Sequence, residues 1–592
     1  MNDKLNRAKA APHRSPTAAV ALFVLALQNA CAPPAGEAPP ELILYNAHVM
    51  TMDASATVAE AIAVDGREIV AIGSSDDVRR LAGPETELVD AGGNSVTPGI
   101  IDTHNHFAWA VSSNLAQLEL EYPAVTRIDD VREQLRAAVA AEPPGTWITG
   151  WRWDAAKLAE QRDIVAADLD DLSPDHPVWL GHTSGHYGVA NSRAMSLAGI
   201  DADMPDPDGG VIARDADGIP TGILTDQAMD LINAVLPPAT TDDYVEAITR
   251  YVGDLSAEGI TAIKDPEIYQ AHYDAYRTVE RNGDLTVRVF TLWRAPDTLP
   301  DAVALRDRIA PFTAPQQQDG SALVVSGGVK IYVDGSGTAR TAWMHDDWNR
   351  DFTGLDAGNT GLTYLDPPLL EAQIRLFHEA GIHIGTHAIG DRAIDFTLDT
   401  YAQVLEDRPT YGLRHSIIHC NLPTGHALEL MLHLQRMHDA AYPEVQPAFL
   451  WWIGDVYVAN FGPERSRRVL PLRTFGERGI RWAGSSDYDV SPYAPRHAFR
   501  AALTREPMLG TWGDTPWGSE ESVPLHETLR AYTATASRQV FLEHRIGTLE
   551  TGKLADIVLW NQNLDETSAD ELDRLRAVLT MMNGRIVHRA GE

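Results

Sequence analysis

The sequence predicts an α/β fold: a (β/α)8 barrel of the TIM type, with an inserted subdomain and a small β-sandwich domain built from both chain ends. Three observations support this prediction. Strand-like and helix-like segments alternate through the middle of the chain, which is typical of a parallel sheet. Eight strand-like segments end in polar residues, and eight is the number that a closed parallel barrel needs. Both ends of the chain carry strand signals only.

The β-sandwich is predicted to combine residues 41–97 with residues 541–592. Asp65-Gly66 separates two short strand-like runs near the start, and Asn583-Gly584 does the same near the end. Such pairs are strong signals for the turn of a β-hairpin. We therefore expect one small β-domain, into which the barrel, residues 98–540, is inserted.

The eight predicted barrel strands share an apolar interior and a polar C-terminal end. They are Ile100–His106, Ile260–Asp265, Val287–Trp293, Val324–Asp334, Ile382–His387, Ser416–Cys420, Val445–Phe449 and Ile480–Asp487. Helix-like segments lie between several of them, for example Pro368–Ala380 and Asp391–Leu405. The interval of about 107–255 is too long for one barrel connection, so we predict an inserted subdomain or lid there.

Composition excludes several classes of protein. The chain has 83 acidic and 48 basic residues, a formal net charge of −35, and such a surface repels phosphate backbones. We therefore expect no nucleic-acid partner. Cys31 and Cys420 are the only cysteines, so a disulfide framework and a zinc site built on thiolates are both excluded. A metal would have to be held mainly by histidine and carboxylate side chains.

Residues 1–31 are predicted to be an export signal. Basic residues precede the apolar run Thr17–Leu27, which is too short to span a membrane as a helix. Ala30 precedes Cys31, as in bacterial lipoproteins, whose cysteine is lipidated. Residues 32–40 form a linker rich in proline and alanine. We expect an exported protein that is periplasmic or anchored through Cys31, with a plain cleaved signal peptide as the alternative.

The strongest local chemical signal is a pair of histidines at the end of the first predicted barrel strand. The segment Thr97–His106 reads TPGIIDTHNH. Side chains two residues apart point to the same face of a strand, so His104 and His106 lie side by side. The C-terminal end of a barrel strand is where such folds place their sites. The pattern favours metal ligation, and a surface histidine pair is the alternative.

Four further polar residues lie at the ends of later predicted strands: Lys330, His387, His419 and Asp487. A lysine inside a strongly β-forming strand is costly to bury unless it is paired or modified. Taken singly, each residue could equally be an ordinary polar residue at a strand terminus. Their joint arrangement in chain order predicts one common site at the barrel mouth.

Other segments extend this pattern over nearly the whole chain after residue 40. They are Pro98–His106, Gly185-His186 with Val189–Ser192, Gly209–Leu224, Gly259–Thr261, Val329–Ile331 with Asp334–Ser336, His387–Ala393, Arg414-His415 with His419, Gln446-Pro447, Ser486-Asp487 and Ile546–Val558. On these segments the sequence resembles the amidohydrolase superfamily, and within it amidohydrolase family 3, which includes N-substituted formamide deformylases. Two positions depart from the family pattern: Ile418 replaces the usual glutamate, and Asp489 replaces the usual proline.

The resemblance implies that His104, His106, His387 and His419 bind one or two divalent cations, with Asp487 close by. Nitrogen and oxygen ligands of this kind suit zinc best, with manganese, iron or cobalt as alternatives.

The resemblance also implies roles for two further residues. Lys330 matches the position where members of the superfamily can carry a carboxylated lysine that bridges two metals. An unmodified lysine that polarises the substrate is the alternative. His186, on the inserted segment, is expected to contact the substrate, because that segment could form a lid.

The implied activity is hydrolysis of a non-peptide carbon–nitrogen bond in a small molecule, an amide or N-formyl compound. A metal lowers the pKa of bound water from 15.7 towards about 7, so metal-bound hydroxide attacks the carbonyl carbon. Asp487 then moves the proton to the leaving nitrogen. Two alternatives stay open: a C–O hydrolase, such as a lactonase or esterase, that uses the same site, and an exported binding lipoprotein without catalysis.

Overall fold

A computed structural model describes residues 38–113, 118–348, 358–510 and 516–591. The predicted export signal, Cys31 and most of the linker lie outside these ranges. The chain divides by its internal contacts into residues 1–39 and residues 40–592, and every element described below belongs to the second unit.

The centre of the molecule is an eight-stranded parallel sheet whose strands follow one another in chain order. The strands are β1 (Ile100–Asp102), β2 (Ile260–Ile268), β3 (Arg288–Arg294), β4 (Val324–Tyr332), β5 (His383–Ala388), β6 (Ser416–His419), β7 (Tyr442–Val445) and β8 (Ala483–Gly484). The first and last strands meet where the Thr103 hydroxyl donates to the Gly484 carbonyl at 3.1 Å. The sheet is thus a nearly closed barrel, and the predicted (β/α)8 fold is confirmed.

The seventh predicted strand, Val445–Phe449, is wrong. The strand is Tyr442–Val445, and residues Phe449–Trp452 form a helix instead. The strand contains Pro443, a residue that argues against a central strand because it cannot donate to the ladder. The apolar run after Val445 fits the strand pattern better than Tyr442–Val445 does, but it leads into the helix Phe449–Trp452.

Strands β1 and β8 end earlier than predicted. Residues 103–106 and 485–488 leave the ladder and bond across the seam between the two strands. The Asp487 amide donates to the His104 carbonyl at 2.7 Å, and the His106 amide donates to the Tyr488 carbonyl at 2.6 Å. These bonds hold the polar residues after β1 next to the polar residues after β8.

Helices cover the outside of the barrel. They are Phe107–Ser113, Thr241–Ala257, Gln270–Asn282, Leu299–Ile309, Pro367–Glu379, Asp391–Asp407, Gly425–His438, Phe449–Trp452, Gly454–Ser466, Leu472–Arg478, Pro495–Thr504, Leu525–Ala531 and Ala534–Gln539. Their apolar faces pack on the strands; Ile374, Phe377 and Leu398, for example, are fully buried. Within the described ranges, none of the helices combines the length and apolar character that a bilayer crossing requires.

The inserted segment forms a six-stranded mixed sheet of its own. Its strands are Leu118–Glu119, Ile148–Trp153, Val178–His182, Tyr187–Ala190, Gly210–Arg214 and Pro220–Asp226. Helices Ile128–Ala141, Ser192–Ala198 and Asp230–Asn233 accompany it. The next helix, Thr241–Ala257, shares the buried cluster of β2 and helix Gln270–Asn282, so it belongs to the barrel.

Two further sheets form the β-sandwich. The four-stranded sheet contains Leu42–Tyr45, Ala61–Asp65, Glu68–Gly73 and Glu87–Asp90, with the short helix Ser75–Arg79 beside it. The six-stranded sheet contains His48–Met50, Val58–Ala59, Ser95–Pro98, Ile557–Trp560, Ala577–Met582 and Arg585–Arg589. The two chain ends meet where Ile557–Trp560 pairs antiparallel with Ser95–Pro98. Both predicted hairpins are present.

Candidate metal centre

The two histidines that follow β1 face the carboxylate that follows β8. His104 Nε2 lies 3.2 Å from His106 Nε2 and 3.1 Å from Asp487 Oδ1. His106 Nε2 lies 3.4 Å from the same carboxylate oxygen. Within the described ranges, this is the one group of three histidine, cysteine or acidic residues whose ligand atoms converge closely enough to hold a metal ion.

The spacing of these atoms fits a divalent cation. Ligands at 2.0–2.1 Å in a tetrahedral field lie about 3.3 Å from one another. His104 is fully buried and Asp487 is 4% exposed. Asp487 Oδ1 has no hydrogen-bond partner among the described residues. The close neighbours of this oxygen are the two imidazole nitrogens, and a cation bound between the three atoms would satisfy the buried carboxylate.

The electrostatics of Asp487 and His104 favour ligation, whereas the Asp487 carboxylate outweighs burial and raises the pKa of His106. Burial opposes the charged form of Asp487, but the imidazoles of His104, His106 and His419 outweigh it and hold the pKa of Asp487 well below its usual value. Burial and the neighbouring Lys330 keep the pKa of His104 well below its usual value. A charged carboxylate beside a neutral imidazole is the protonation state that metal ligands need.

Lys330 lies on β4, two residues before the C-terminal end of that strand. Its Nζ atom is 3.4 Å from His104 Nε2 and 4.7 Å from the centre of the Tyr332 ring. The lysine is fully buried, and burial lowers its pKa to about 8. The amine thus lies at the edge of the histidine–carboxylate group.

His419 is oriented by Gln446. Gln446 Nε2 donates to the Glu444 carbonyl and to the Ser485 hydroxyl, so Gln446 Oε1 is left as an acceptor for His419 Nδ1 at 2.9 Å. The proton of a neutral His419 therefore lies on Nδ1, and Nε2 keeps the lone pair that a metal needs.

His387 lies beside His419, with ring centres 4.5 Å apart. Its Nε2 is 3.0 Å from the Gly335 carbonyl oxygen, which can only accept. A neutral His387 therefore keeps its lone pair on Nδ1. His387 and His419 line the same mouth, but neither joins the close group of His104, His106 and Asp487.

His186 reaches this mouth from the inserted segment. Its ring centre lies 5.3 Å from that of His387, and its Nδ1 is 2.7 Å from Asp226 Oδ1. The structure thus brings together all seven residues that the sequence singles out. Three lie on strands β4, β5 and β6, three follow the ends of β1 and β8, and His186 comes from the insert.

Sequence reasoning missed Asp102. Its carboxylate accepts hydrogen bonds from the Ser486 amide, the Ser486 hydroxyl and the Asn105 side chain at 2.9, 2.6 and 3.0 Å. Burial raises its pKa to about 6. The available signal was an acidic residue at the end of an apolar strand, two positions before the first histidine.

Glu267 and Gln446 were missed as well. Glu267 lies beyond the predicted end of β2, its side chain is 34% exposed at the mouth, and it accepts a hydrogen bond from the Tyr332 hydroxyl at 2.5 Å.

Asp489, which replaces the family proline, lies 3.3 Å from Arg152 Nε. This contact connects the insert to the loop that carries Asp487.

Comparisons with known proteins identify the family of this chain. Residues 87–588 match the amidohydrolase family. The N-substituted formamide deformylase of Arthrobacter pascens is 28% identical over 559 residues, which cover 92% of this chain and 97% of that protein. An uncharacterized metal-dependent hydrolase from Pyrococcus horikoshii OT3 has a similar structure, with a TM-score of 0.68, 22% identity and coverage of 89% of this chain and 99% of the other.

A more distant structure shows the same fold. It is atrazine chlorohydrolase from Arthrobacter aurescens TC1 complexed with zinc, with a TM-score of 0.51, 15% identity and coverage of 93% of this chain and 95% of the other. The family match spans most of the sequence, and the chain therefore belongs to the amidohydrolase family of metal-dependent hydrolases.

Proposed function

We propose that this chain hydrolyses a non-peptide carbon–nitrogen bond in a small molecule, an amide or an N-formyl compound. The observation that carries the proposal is the convergence of His104 Nε2, His106 Nε2 and Asp487 Oδ1 within 3.4 Å of one another. The choice of bond is supported by similarity to the formamide deformylase over almost the full length of both proteins.

We assign the cation to His104, His106 and Asp487, and a second one, if bound, to His387 and His419. Zinc is the preferred metal, because imidazole and carboxylate ligands suit it and a related fold was solved with zinc. A bound cation would activate water and polarise the carbonyl of the substrate.

Asp487 is assigned the proton transfer. Its Oδ1 faces His104 and His106, while its Oδ2 lies 3.8 Å from His419 Nδ1. Its pKa is well below the usual value, so the carboxylate is charged at neutral pH and can accept a proton from the attacking water. The same carboxyl then returns the proton to the leaving nitrogen.

Lys330 is assigned a carboxylated side chain. A carbamate on Nζ would place an anion beside His104, where a buried cationic lysine is unfavourable next to a metal. The competing role is that of an unmodified lysine that polarises the substrate carbonyl. His186 is assigned to the substrate, with Asp226 fixing the orientation of its ring.

We also propose that the protein is exported and anchored through Cys31. This proposal rests on the basic, apolar and cysteine-containing order of residues 1–31. Mass spectrometry of the native protein tests it: a lipid adduct on Cys31 supports anchoring, and an intact Met1 terminus contradicts export.

The decisive experiment combines metal analysis with a substrate panel. The purified protein is analysed for bound metals, stripped with a chelator and reloaded. It is then assayed against amides, formamides and lactones. We expect stoichiometric zinc and turnover of amides or formamides that disappears on stripping and returns on reloading. Turnover of lactones alone would assign a C–O hydrolase, and bound ligand without turnover would assign a binding protein.

A further inference from the structure

A small cavity lies outside the barrel, between helix Gly454–Ser466 and the chain that follows helix Pro495–Thr504. The space open to the centre of a water molecule is about 20 Å³, enough for one or two atoms the size of a water oxygen. Its walls are largely apolar, and Val458 and Pro507 contribute to them. Two polar side chains interrupt this lining: Arg505 and Ser466.

Arg505 is a buried cation that has no acidic partner among the described residues. It is 1% exposed. Its Nε, Nη1 and Nη2 donate to the carbonyl oxygens of Trp517, Leu470 and Val469 at 3.0, 3.0 and 2.6 Å. All three acceptors are neutral. Within the described ranges, no carboxylate forms an ion pair with it.

The other buried arginine of the described chain behaves differently. Arg288 is paired with Asp556 through two contacts of 3.1 Å. The acidic residues nearest to the charge of Arg505 are engaged elsewhere, since Glu520 pairs with Arg467 and Glu521 accepts from Thr474. Although burial lowers the pKa of Arg505 to about 10, its guanidinium stays charged at neutral pH.

Ser466 provides the second polar group. It is 4% exposed, and its hydroxyl has no hydrogen-bond partner among the described residues. A guanidinium has five N–H donors, so three carbonyl contacts leave two donors of Arg505 unused. The lining of the cavity therefore carries a buried positive charge, two unused N–H donors of Arg505 and the unused O–H donor of Ser466.

We propose that Arg505 and Ser466 bind a small monovalent anion in this cavity, a halide such as chloride or bromide. An anion of this size would neutralise the guanidinium through charge-assisted hydrogen bonds. A water molecule could satisfy the serine but would leave the charge unbalanced. A monatomic halide suits this space better than the five-atom sulfate and phosphate ions do. This site is independent of the metal centre and of the proposed activity.

Thermal unfolding of the full chain in different anions tests the proposal. At constant ionic strength, with gluconate as the bulky reference anion, chloride, bromide, formate and sulfate are titrated separately. A ligand that binds only the folded state raises the Tm in a saturable way. We expect saturable stabilisation by the two halides, and none by the larger formate and sulfate ions. An equal effect of all anions would overturn the proposal.

Variants locate the effect. Ser466→Ala removes one hydrogen bond to a charged ligand and should weaken the apparent anion affinity about tenfold. Arg505→Gln should abolish the saturable stabilisation. The matched control is Arg467→Gln at a neighbouring exposed arginine, which should leave it unchanged. If Ser466→Ala responds to anions as the parent does, the site is not here.

Because Arg505→Gln could fail to fold, a crystal of the parent protein grown in bromide provides a second measurement. An anomalous difference peak between Arg505 and Ser466 identifies the anion directly. Density without an anomalous signal in the bromide crystal would mean water, and would overturn the proposal.

Discussion

Asp102 on β1 accepts two hydrogen bonds from Ser486, the residue before Asp487, at 2.9 and 2.6 Å. The two residues are 384 positions apart in the sequence, yet this contact joins the strand end that carries the histidine pair to the strand end that carries the carboxylate. The geometry of the candidate metal centre therefore depends on the seam where the barrel closes.

Asp102→Asn should weaken metal binding while leaving the fold intact. An asparagine has one acceptor oxygen instead of two, so Ser486 loses one of its two acceptors. Partners that orient metal ligands typically contribute about 10- to 100-fold in metal affinity, and we expect a loss in that range in competition with a chelator. Asp65→Asn, in an exposed hairpin turn, is the control. Unchanged affinity in Asp102→Asn would show that the seam does not position the ligands.

Two substitutions distinguish the role of a metal ligand from the proton-transfer role of Asp487. His104→Ala should lose both metal and activity. Asp487→Asn keeps an oxygen at the metal but removes the proton acceptor, so it should keep most of the metal while turnover falls by about two to four decades. Metal content and kcat are measured on the same samples, with exposed His426→Ala as the control. Parental turnover in Asp487→Asn would rule out the assigned proton transfer.

Gln446→Met tests the orientation of His419. The methionine fills the volume but offers His419 Nδ1 no comparable acceptor, so the imidazole can rotate or change tautomer. We expect a loss of about tenfold or more in kcat or in metal affinity, the usual range for such partners. Parental kcat and metal affinity in Gln446→Met would mean that His419 needs no fixed tautomer.

Buried histidines at the base of β5 and β6 predict a pH-dependent stability. Burial holds the pKa of His383 and of His415 well below the usual value of 6.5. Below pH 6.5 these histidines therefore bind protons in the unfolded chain but stay neutral in the folded chain. The free energy of unfolding falls as the pH falls. Each histidine contributes about 1.4 kcal/mol per pH unit in this range.

The measurement is denaturant unfolding at pH values from 7.5 down to 5.5. His383→Leu removes one of these groups in an apolar setting next to Phe290 and Phe541, and it should make the pH dependence shallower. His544→Gln, at an exposed position, should leave it unchanged. An identical slope in His383→Leu and the parent would contradict the assignment.

The fold class was readable from the sequence because it depends on local patterns. Apolar runs with polar ends gave seven barrel strands in nearly their observed places. The prediction of the seventh strand was wrong because Pro443 is untypical of a central strand. His104, His106 and Asp487 could be grouped in advance because parallel strands bring their C-terminal ends to one face.

Other site residues could not be found this way. The role of Asp102 depends on Ser486, which is remote in the chain, and that of Gln446 depends on the amide orientation that Glu444 and Ser485 impose. Arg505 is an ordinary arginine in the sequence. Its lack of an acidic partner in the described part of the chain is a property of packing, which no local pattern records.

The β-sandwich has a consequence for synthesis. Strand Ser95–Pro98 leaves the ribosome early, but its partner Ile557–Trp560 is made about 460 residues later, which is roughly half a minute to a minute and a half at bacterial to eukaryotic translation speeds. During that time one edge of the N-terminal strands has no partner and can pair with another chain. Truncation of the last strands would make this unpaired edge permanent, so a nascent or C-terminally shortened chain should be the form that aggregates or recruits chaperones.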